Sequence, residues 1–395
     1  MLIFGGIGIP VAGHTLLANA NIFGFFLGMM ALSTLAEIGG FFEWASTYVA
    51  RWSKGNVRYL FIGVMLLGCC ISTILSNDAT ALILTPIVLK LIKRLGIDPL
   101  PFMFGCVFIA DTASFILPVS NPINIIILTS VHLSLFDFLK LLLLPSLVVI
   151  ALNISIFLWL FRTSLAGTFT TSALTDPYAF VPNRQYFRWI LIVLGGVAIA
   201  YIICSAAQIP LAFVAMTGAI LLLVGALVQG TVTLPQLSSG ISWPIFGFIV
   251  GMAIVVQGVE RTGIIQSVGD ILLQHVSSTS PSYPIIGATV FGTAVGSNIS
   301  NNIPMAVVMT SLFHQLGSSS HALRQSLIGA TILGCDLGAN LTTIGSLAKV
   351  FWLLLLRREG IHVSSLDYAK IGILVTPILL VAGSVILWLM VRLFA

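Results

Sequence analysis

Long apolar runs and short polar breaks make the pattern of this chain. Ile22 to Gly40, Phe138 to Leu160, Arg188 to Ala206, Pro210 to Gln229 and Leu366 to Leu393 are continuous apolar stretches. Each is near the roughly 20 residues that a helix needs to cross a bilayer, so each predicts a plain span. Other stretches carry polar residues in their middle. Tyr59 to Leu95 is apolar on both sides of Ser76-Asn77-Asp78, with Arg58 before it and Lys90, Lys93 and Arg94 near its end. Three residues are few for a solvent loop, and both outer ends are basic. The pattern predicts a re-entrant helical hairpin over about 57–95, its polar tip at mid-membrane. Two ordinary spans joined by a tight turn is the competing reading. Tyr283 to Ile299 and Pro304 to Leu316 flank Ser300-Asn301-Asn302 in the same way and predict a second hairpin over about 281–317.

Two further stretches read as broken transmembrane helices, over about 99–131 and 322–356. The first holds Asp111-Thr112, Ser114, Pro118-Val119-Ser120-Asn121-Pro122 and Asn124. Its two prolines interrupt the helix. Asp111 lies about ten residues, roughly 15 Å at helical rise, from the segment start, and so near the bilayer centre. The second holds GCDLGANLTTIGSLAK, Gly334 to Lys349. Lipid offers no hydrogen-bond partner to its acid, amide, hydroxyls and lysine, which must face protein or a water-filled cavity. Unwound backbone and a helix N-terminus at such a break make a site for a solute or ion.

The remaining pieces are connectors. FFEWASTYVARW, Phe41 to Trp52, reads as an interfacial helix after Glu37, as does Gly258 to Ser277 with Glu260, Arg261, Asp270 and His275. Pro244 to Gln257 is another apolar run, and Met1 to Val11 is an apolar piece too short for a span. The N-terminal stretch lacks a basic start and is followed by more spans, so no cleavable signal peptide is expected. Arg162 to Tyr186 is the longest polar stretch and the best linker.

The pattern occurs twice. The Ser-Asn tips are offset by 300 − 76 = 224 residues, and the acids Asp336 and Asp111 by 336 − 111 = 225. Each half reads as amphipathic helix, hairpin, broken helix with an acid, and plain span. The repeats are therefore expected over 1–162 and 187–395, joined by a cytoplasmic linker over 163–186. The basic loops at 51–58, 90–94, 162–188 and 357–358 are placed in the cytoplasm. The two hairpins then enter from opposite sides. The expected fold is an all-α polytopic membrane protein of two inverted repeats, each with a re-entrant helical hairpin and a broken transmembrane helix.

Composition sharpens this picture. The chain is 58% hydrophobic and 7% charged, against about a quarter charged for a soluble domain. A β-barrel would show short alternating segments. The net charge of +5 sits in short loops, as membrane topology requires, and does not imply nucleic acid. The five cysteines lie in apolar segments without zinc-type spacing, and no cofactor motif is evident.

Asp78, Asp111 and Asp336 are the deepest acids and Lys349 the deep base. A carboxyl in lipid can carry a proton, because neutralising it relieves the cost of burial. Asp111 and Asp336 are thus candidate proton carriers or gates; static helix-to-helix hydrogen bonds are the alternative. Lys349 lies eight residues, roughly 12 Å, from Arg357 at the membrane edge. It can snorkel part of the way, or pair with Asp111 or Asp336 and couple its release to proton binding. Asn77, Asn301 and Asn302 can bind solute or cap the tip helices. Ser120, Asn121, Asn124, Asn340, Thr342, Thr343 and Ser346 add neutral amides and hydroxyls. A site so poor in positive charge suits a neutral polyhydroxylated solute or a small cation over a dicarboxylate.

SNDATALILTP, FIADTAS, SNPINI and GCDLGANLTTIGSLA together resemble the arsenite and antimonite efflux permease family (the ArsB type) of the ion transporter superfamily. FFEWA and NNIP fit as well. The resemblance covers most of the chain and implies export of arsenite and antimonite from the bacterial or archaeal cytoplasm, across the plasma membrane, in exchange for protons. It carries substrate contact onto Asn77, Asp78, Asp111, Ser120, Asn121, Asn301, Asn302, Asp336, Thr342 and Thr343. Arsenite at neutral pH is mostly an uncharged trihydroxide, suited to amides, hydroxyls and carboxylates. A soluble ATPase partner is compatible with the resemblance, although no dock for one is evident. Two departures stand out. The N-terminus is shorter than the resemblance implies by roughly one span, and Lys349 stands where a small polar or apolar residue is expected.

Thiolates also bind trivalent arsenic. Cys335 adjoins Asp336, and Cys69 and Cys70 precede the first tip. A three-thiolate site would release its load slowly, which suits a sensor better than a pump. A sodium/proton antiporter of the same superfamily is the competing transport reading. An intramembrane enzyme is disfavoured, since neither HExxH nor GxSxG occurs. The inverted layout makes a direct prediction. Single cysteines placed at Ile97 and Ser318 should label from opposite sides of the membrane; labelling from one side would exclude inversion.

Overall fold

Where the chain is uniformly apolar it forms one unbroken helix, and where it carries a Ser-Asn tip or a Pro or Gly break the helix stops and restarts. The computed structural model describes residues 20–207, 209–244, 246–247, 250–251, 283–315 and 321–394. Met1 to Val11, Gly258 to Ser277, Ser318 and the ends of the second hairpin region lie outside the described residues. The described residues are mainly helical, and the isolated bridge between Asn56 and Thr168 is the extended pairing among them. The chain is an all-helical polytopic membrane protein.

Helices are numbered in order among the described residues. α1 (Ala20–Ile38) and the interfacial α2 (Phe41–Trp52) lead into α3 (Val57–Ile74). Asn56 caps α3 by accepting from the Arg58 and Tyr59 amides. Ser76 Oγ accepts the Ala79 amide at 3.1 Å and starts the return arm. That arm opens as a π-helical turn, Ala79–Leu84, before α4 (Thr85–Arg94). Pro86 has no N–H and its ring crowds the carbonyl four residues back, which accounts for the widened turn.

α5 (Leu100–Thr112) ends at the first break, where a 3-10 turn, Pro118–Ser120, precedes α6 (Pro122–Val131). α7 (Leu135–Leu160) closes the first half. α8 (Arg184–Ala206), α9 (Leu211–Val228) and the short α10 (Leu234–Gly240) follow. The second half repeats the plan with α11 (Tyr283–Ser300), α12 (Asn302–Gln315), α13 (His321–Gly338), a 3-10 turn at Ala339–Leu341, α14 (Leu347–Arg358) and α15 (Ser365–Phe394). Asn301, between α11 and α12, takes the left-handed conformation with φ 81°, which Asn tolerates better than most residues. α1, α3, α7, α8, α9 and α15 are each long and apolar enough to cross a membrane.

Each hairpin packs on its own broken helix, α3 on α5 and α11 on α13. The halves then interlock. α12 lies on α6, α14 lies on the π-helical turn, and α7 runs along α15. Rings of Phe104, Phe108, Phe157, Trp352 and Tyr368 form one buried cluster at the junction of α5, α7, α14 and α15. Such pairs are worth about 0.5–1.5 kcal/mol each beyond their buried area. The cluster sits one turn before Asp111 and holds the end of α5 in place.

Gly372 on α15 lies directly against the carbonyls of Asn340 and Leu341, so a Cβ there would strike backbone. Gly372→Ala should therefore cost about 1–3 kcal/mol. It should lower the melting temperature in detergent. Gly195→Ala on α8, which meets nothing within 4 Å, should not.

Candidate functional site

The two breaks bring the ends of α5 and α13 and the start of α14 together, and each end carries a charge of the unfavourable sign. Asp111 is in the last turn of α5, and Asp336 is near the end of α13. Helix C-termini are the negative ends of their dipoles. Lys349 is in the first turn of α14, the positive end. Burial compounds the mismatch: Asp111, Asp336 and Lys349 expose 3%, 0% and 1% of their surface.

Lys349 and Asp111 relieve one another. Lys349 Nζ lies 2.5 Å from Asp111 Oδ2, and it also donates to the carbonyl of Ala339 at 2.5 Å. Lys349 is paired inside the protein and does not reach for the membrane edge. Asn77, at the first hairpin tip, donates its amide to the other oxygen of Asp111 at 3.0 Å. One acid thus joins a hairpin tip, the first broken helix and the second broken helix.

Asp336 is held differently. Asn121 caps α6 through its carbonyl and donates its amide to Asp336 Oδ1 at 2.5 Å. Ser114 and Asn124 lie beside the same carboxyl. Asn124 donates to the Ser114 carbonyl at 2.8 Å. Asp111 and Lys349 are close enough to act on Asp336 electrostatically, so the acids and the lysine form one charged centre.

The remaining predicted residues fall into two groups. Asn340 donates to the Phe108 carbonyl at 3.2 Å and accepts from Tyr368, which ties the second break to the aromatic cluster. Ser120 donates to the Thr73 carbonyl at 3.2 Å. Around the second tip, the Asn301 side chain donates to the Ile344 carbonyl at 3.2 Å, and the Asn302 backbone N–H donates to the Gly345 carbonyl at 3.2 Å. Thr343 and Ser346 are buried in that break. The matching tip amides therefore do unlike jobs: Asn77 grips an acid, whereas Asn301 grips unwound backbone. Asp78 is half-buried, and its carboxylate has no hydrogen bond or ion pair among the described residues. Cys335 is buried, Cys69 half-buried and Cys70 exposed. The described residues contain no group of three metal-binding side chains.

Sequence reasoning missed Asn298. Its amide donates to the Ala294 and Gly338 carbonyls at 2.8 and 2.7 Å. Its carbonyl accepts from the Thr342 amide and hydroxyl at 3.1 and 2.7 Å. One side chain so clasps α11, the end of α13 and the second break.

The family model described as arsenical pump membrane protein matches residues 10–391. An arsenical pump membrane protein from Yersinia enterocolitica is 31% identical over 362 residues, covering 90% of this chain and 83% of that protein. One from Escherichia coli (strain K12) is 30% identical over 360 residues, with the same coverage of 90% and 83%. Among solved structures, the Alcanivorax borkumensis YdaH transporter, whose crystal structure is described as revealing an unusual topology, is similar with a TM-score of 0.64 at 16% identity. The likeness covers 96% of this chain and 86% of that one, and it is a likeness of fold.

A buried pair that loses one partner leaves an uncompensated charge, at a cost of about 3–5 kcal/mol. Lys349→Met alone should therefore destabilise strongly. The double change Asp111→Asn with Lys349→Met should recover most of the loss. Thermal unfolding of the three proteins in one detergent would check this; additive losses would show that the pair is not the source.

Proposed function

The chain belongs to the arsenical pump membrane protein family, and on that premise we propose that it exports arsenite and antimonite from the cytoplasm in exchange for protons, by alternating access across the plasma membrane. The observation that carries the reading is the buried Asp111–Lys349 pair, which bridges the two broken helices and is touched by a hairpin tip. A proton arriving at Asp111 would remove the charge that holds Lys349. The start of α14 would then be free to part from the end of α5, and Asn77 would lose its grip as well. Proton uptake would in this way be felt at three elements at once, which is what coupling requires.

The solute chemistry supports the same reading. The centre offers amides, hydroxyls and carboxyls, and its one cation is already engaged. Such a lining suits a neutral trihydroxide better than a free anion. Asn77, Asp78, Ser120, Asn121, Asn124, Asn301, Asn302, Asn340, Thr342, Thr343 and Ser346 are the proposed substrate-contacting residues. Asp111, Asp336 and Lys349 form the proposed proton-coupling set. The two halves are taken as inverted repeats, with the basic loops in the cytoplasm and one re-entrant hairpin entering from each side.

Everted membrane vesicles test the proposal. An acid interior should drive arsenite accumulation without sodium, and an uncoupler should abolish it. Asp111→Asn, checked for normal membrane level, should lower gradient-driven accumulation by at least about tenfold, the equivalent of one lost interaction of about 1.4 kcal/mol. Sodium movement without arsenite accumulation would favour a sodium/proton antiporter instead.

A further inference from the structure

The hydrogen bonds around Asp336 do not balance for an ionised carboxylate. Its Oδ1 accepts from Asn121, but its Oδ2 is buried and has no partner among the described residues. Asn124 lies beside the same carboxyl, spends its amide on the Ser114 carbonyl, and is left with a buried Oδ1 that also has no partner. Both are acceptor oxygens, and both side chains are fully buried. A carboxylate has no hydrogen to give to either, whereas a carboxylic acid has one. Ser114, also beside the carboxyl, spends its hydroxyl hydrogen on the Asp111 carbonyl at 2.8 Å. A single proton on Asp336 Oδ2 therefore supplies a donor to two acceptors left without one.

Charge balance points the same way. The charged and titratable groups that act on Asp336 are Asp111 from α5, Lys349 from α14 and the Cys335 thiol on its own helix. α6 presents the neutral amides of Asn121 and Asn124. Lys349 and Asp111 already neutralise each other at 2.5 Å. An ionised Asp336 would add one unmatched negative charge to a lipid-embedded centre, and would place it at the negative end of the α13 dipole. Protonated, it adds no charge to the neutral Asp111–Lys349 pair.

We propose that in this conformation Asp336 holds a resident proton, shared toward Asn124 Oδ1, while Asp111 is the ionised partner of Lys349. The two acids, alike in the repeat, are thus in opposite protonation states. This deepens the proton-exchange reading by naming the group that is loaded here, and it rests on that reading only for the use made of the proton. Asp336→Asn keeps the shape and a hydrogen donor, so the variant should fold with a melting temperature close to that of the parent.

Infrared difference spectroscopy of the purified protein in liposomes tests the assignment, because a protonated carboxylic acid has a carbonyl stretch that a carboxylate lacks. The expected result is such a band in the parent at neutral pH. It should be lost in Asp336→Asn, displaced in Asp336→Glu and kept in Asp111→Asn. No band in the parent, or a band that survives Asp336→Asn, overturns the assignment. So does a band that sodium chloride removes at constant pH, which would mean that a metal cation sits between the two oxygens. The measurement needs no transport. A band at Asp336 in protein that moves no metalloid would therefore count against the proposed function and leave the protonation standing.

Discussion

A lysine buried in lipid-embedded protein must have a partner, and much of this structure follows from where Lys349 finds one. It stands in the first turn of α14, where the helix dipole repels it, and it is almost fully buried. The carboxylate of Asp111 and the carbonyl of Ala339 offset that burial. Asp111 is itself ill placed at the end of α5. Neither charge is tolerable alone, so the pair holds the two breaks in register. Charge-assisted hydrogen bonds of this kind weaken sharply once either group is neutralised. The contact is thus strong in one protonation state and dispensable in another.

The breaks make this pairing accessible. α5 ends at Thr112, Pro118 opens the 3-10 turn that follows and Pro122 begins α6, while extended residues at Thr342 and Ser346 flank the break in the other half. Their freed backbone groups are met by side chains and not by lipid. Asn121 caps α6, Asn301 takes the Ile344 carbonyl, and Asn298 serves both Gly338 and Thr342. Unwound backbone at membrane depth is stable only when it is served in this way. The two halves share a plan but not a chemistry. The first tip is bound to an acid, whereas the second is bound to backbone.

A surface contact reinforces the junction. Lys93, at the end of the first hairpin, bonds the Glu359 carbonyl and carboxylate just beyond α14 at 2.8 and 3.2 Å. Both side chains are about two-fifths exposed, so water and salt screen this pair. The deep pair and the shallow pair lie at opposite ends of α14. That helix is therefore held to the first half at both ends, tightly at the buried one and loosely at the exposed one.

Run length, prolines and polar tips are local features, and they alone determine where this chain spans, breaks and turns back. The plain spans, both broken helices and both hairpin tips were legible for that reason, as was the need for Asp111, Asp336 and Lys349 to face protein. Partner choice was not legible. Lys349 could reach Asp111, Asp336 or the membrane edge by any reading of the sequence, and the packing of α14 on the π-helical turn of the first half decided for an acid 238 residues away. Asn121 meets Asp336 across 215 residues for the same reason. Asn298 went unseen because an amide in an apolar helix shows no local signal of what it clasps. Hydrophobic periodicity records whether a side chain must be buried, whereas the angle and offset of packed helices settle what it is buried against.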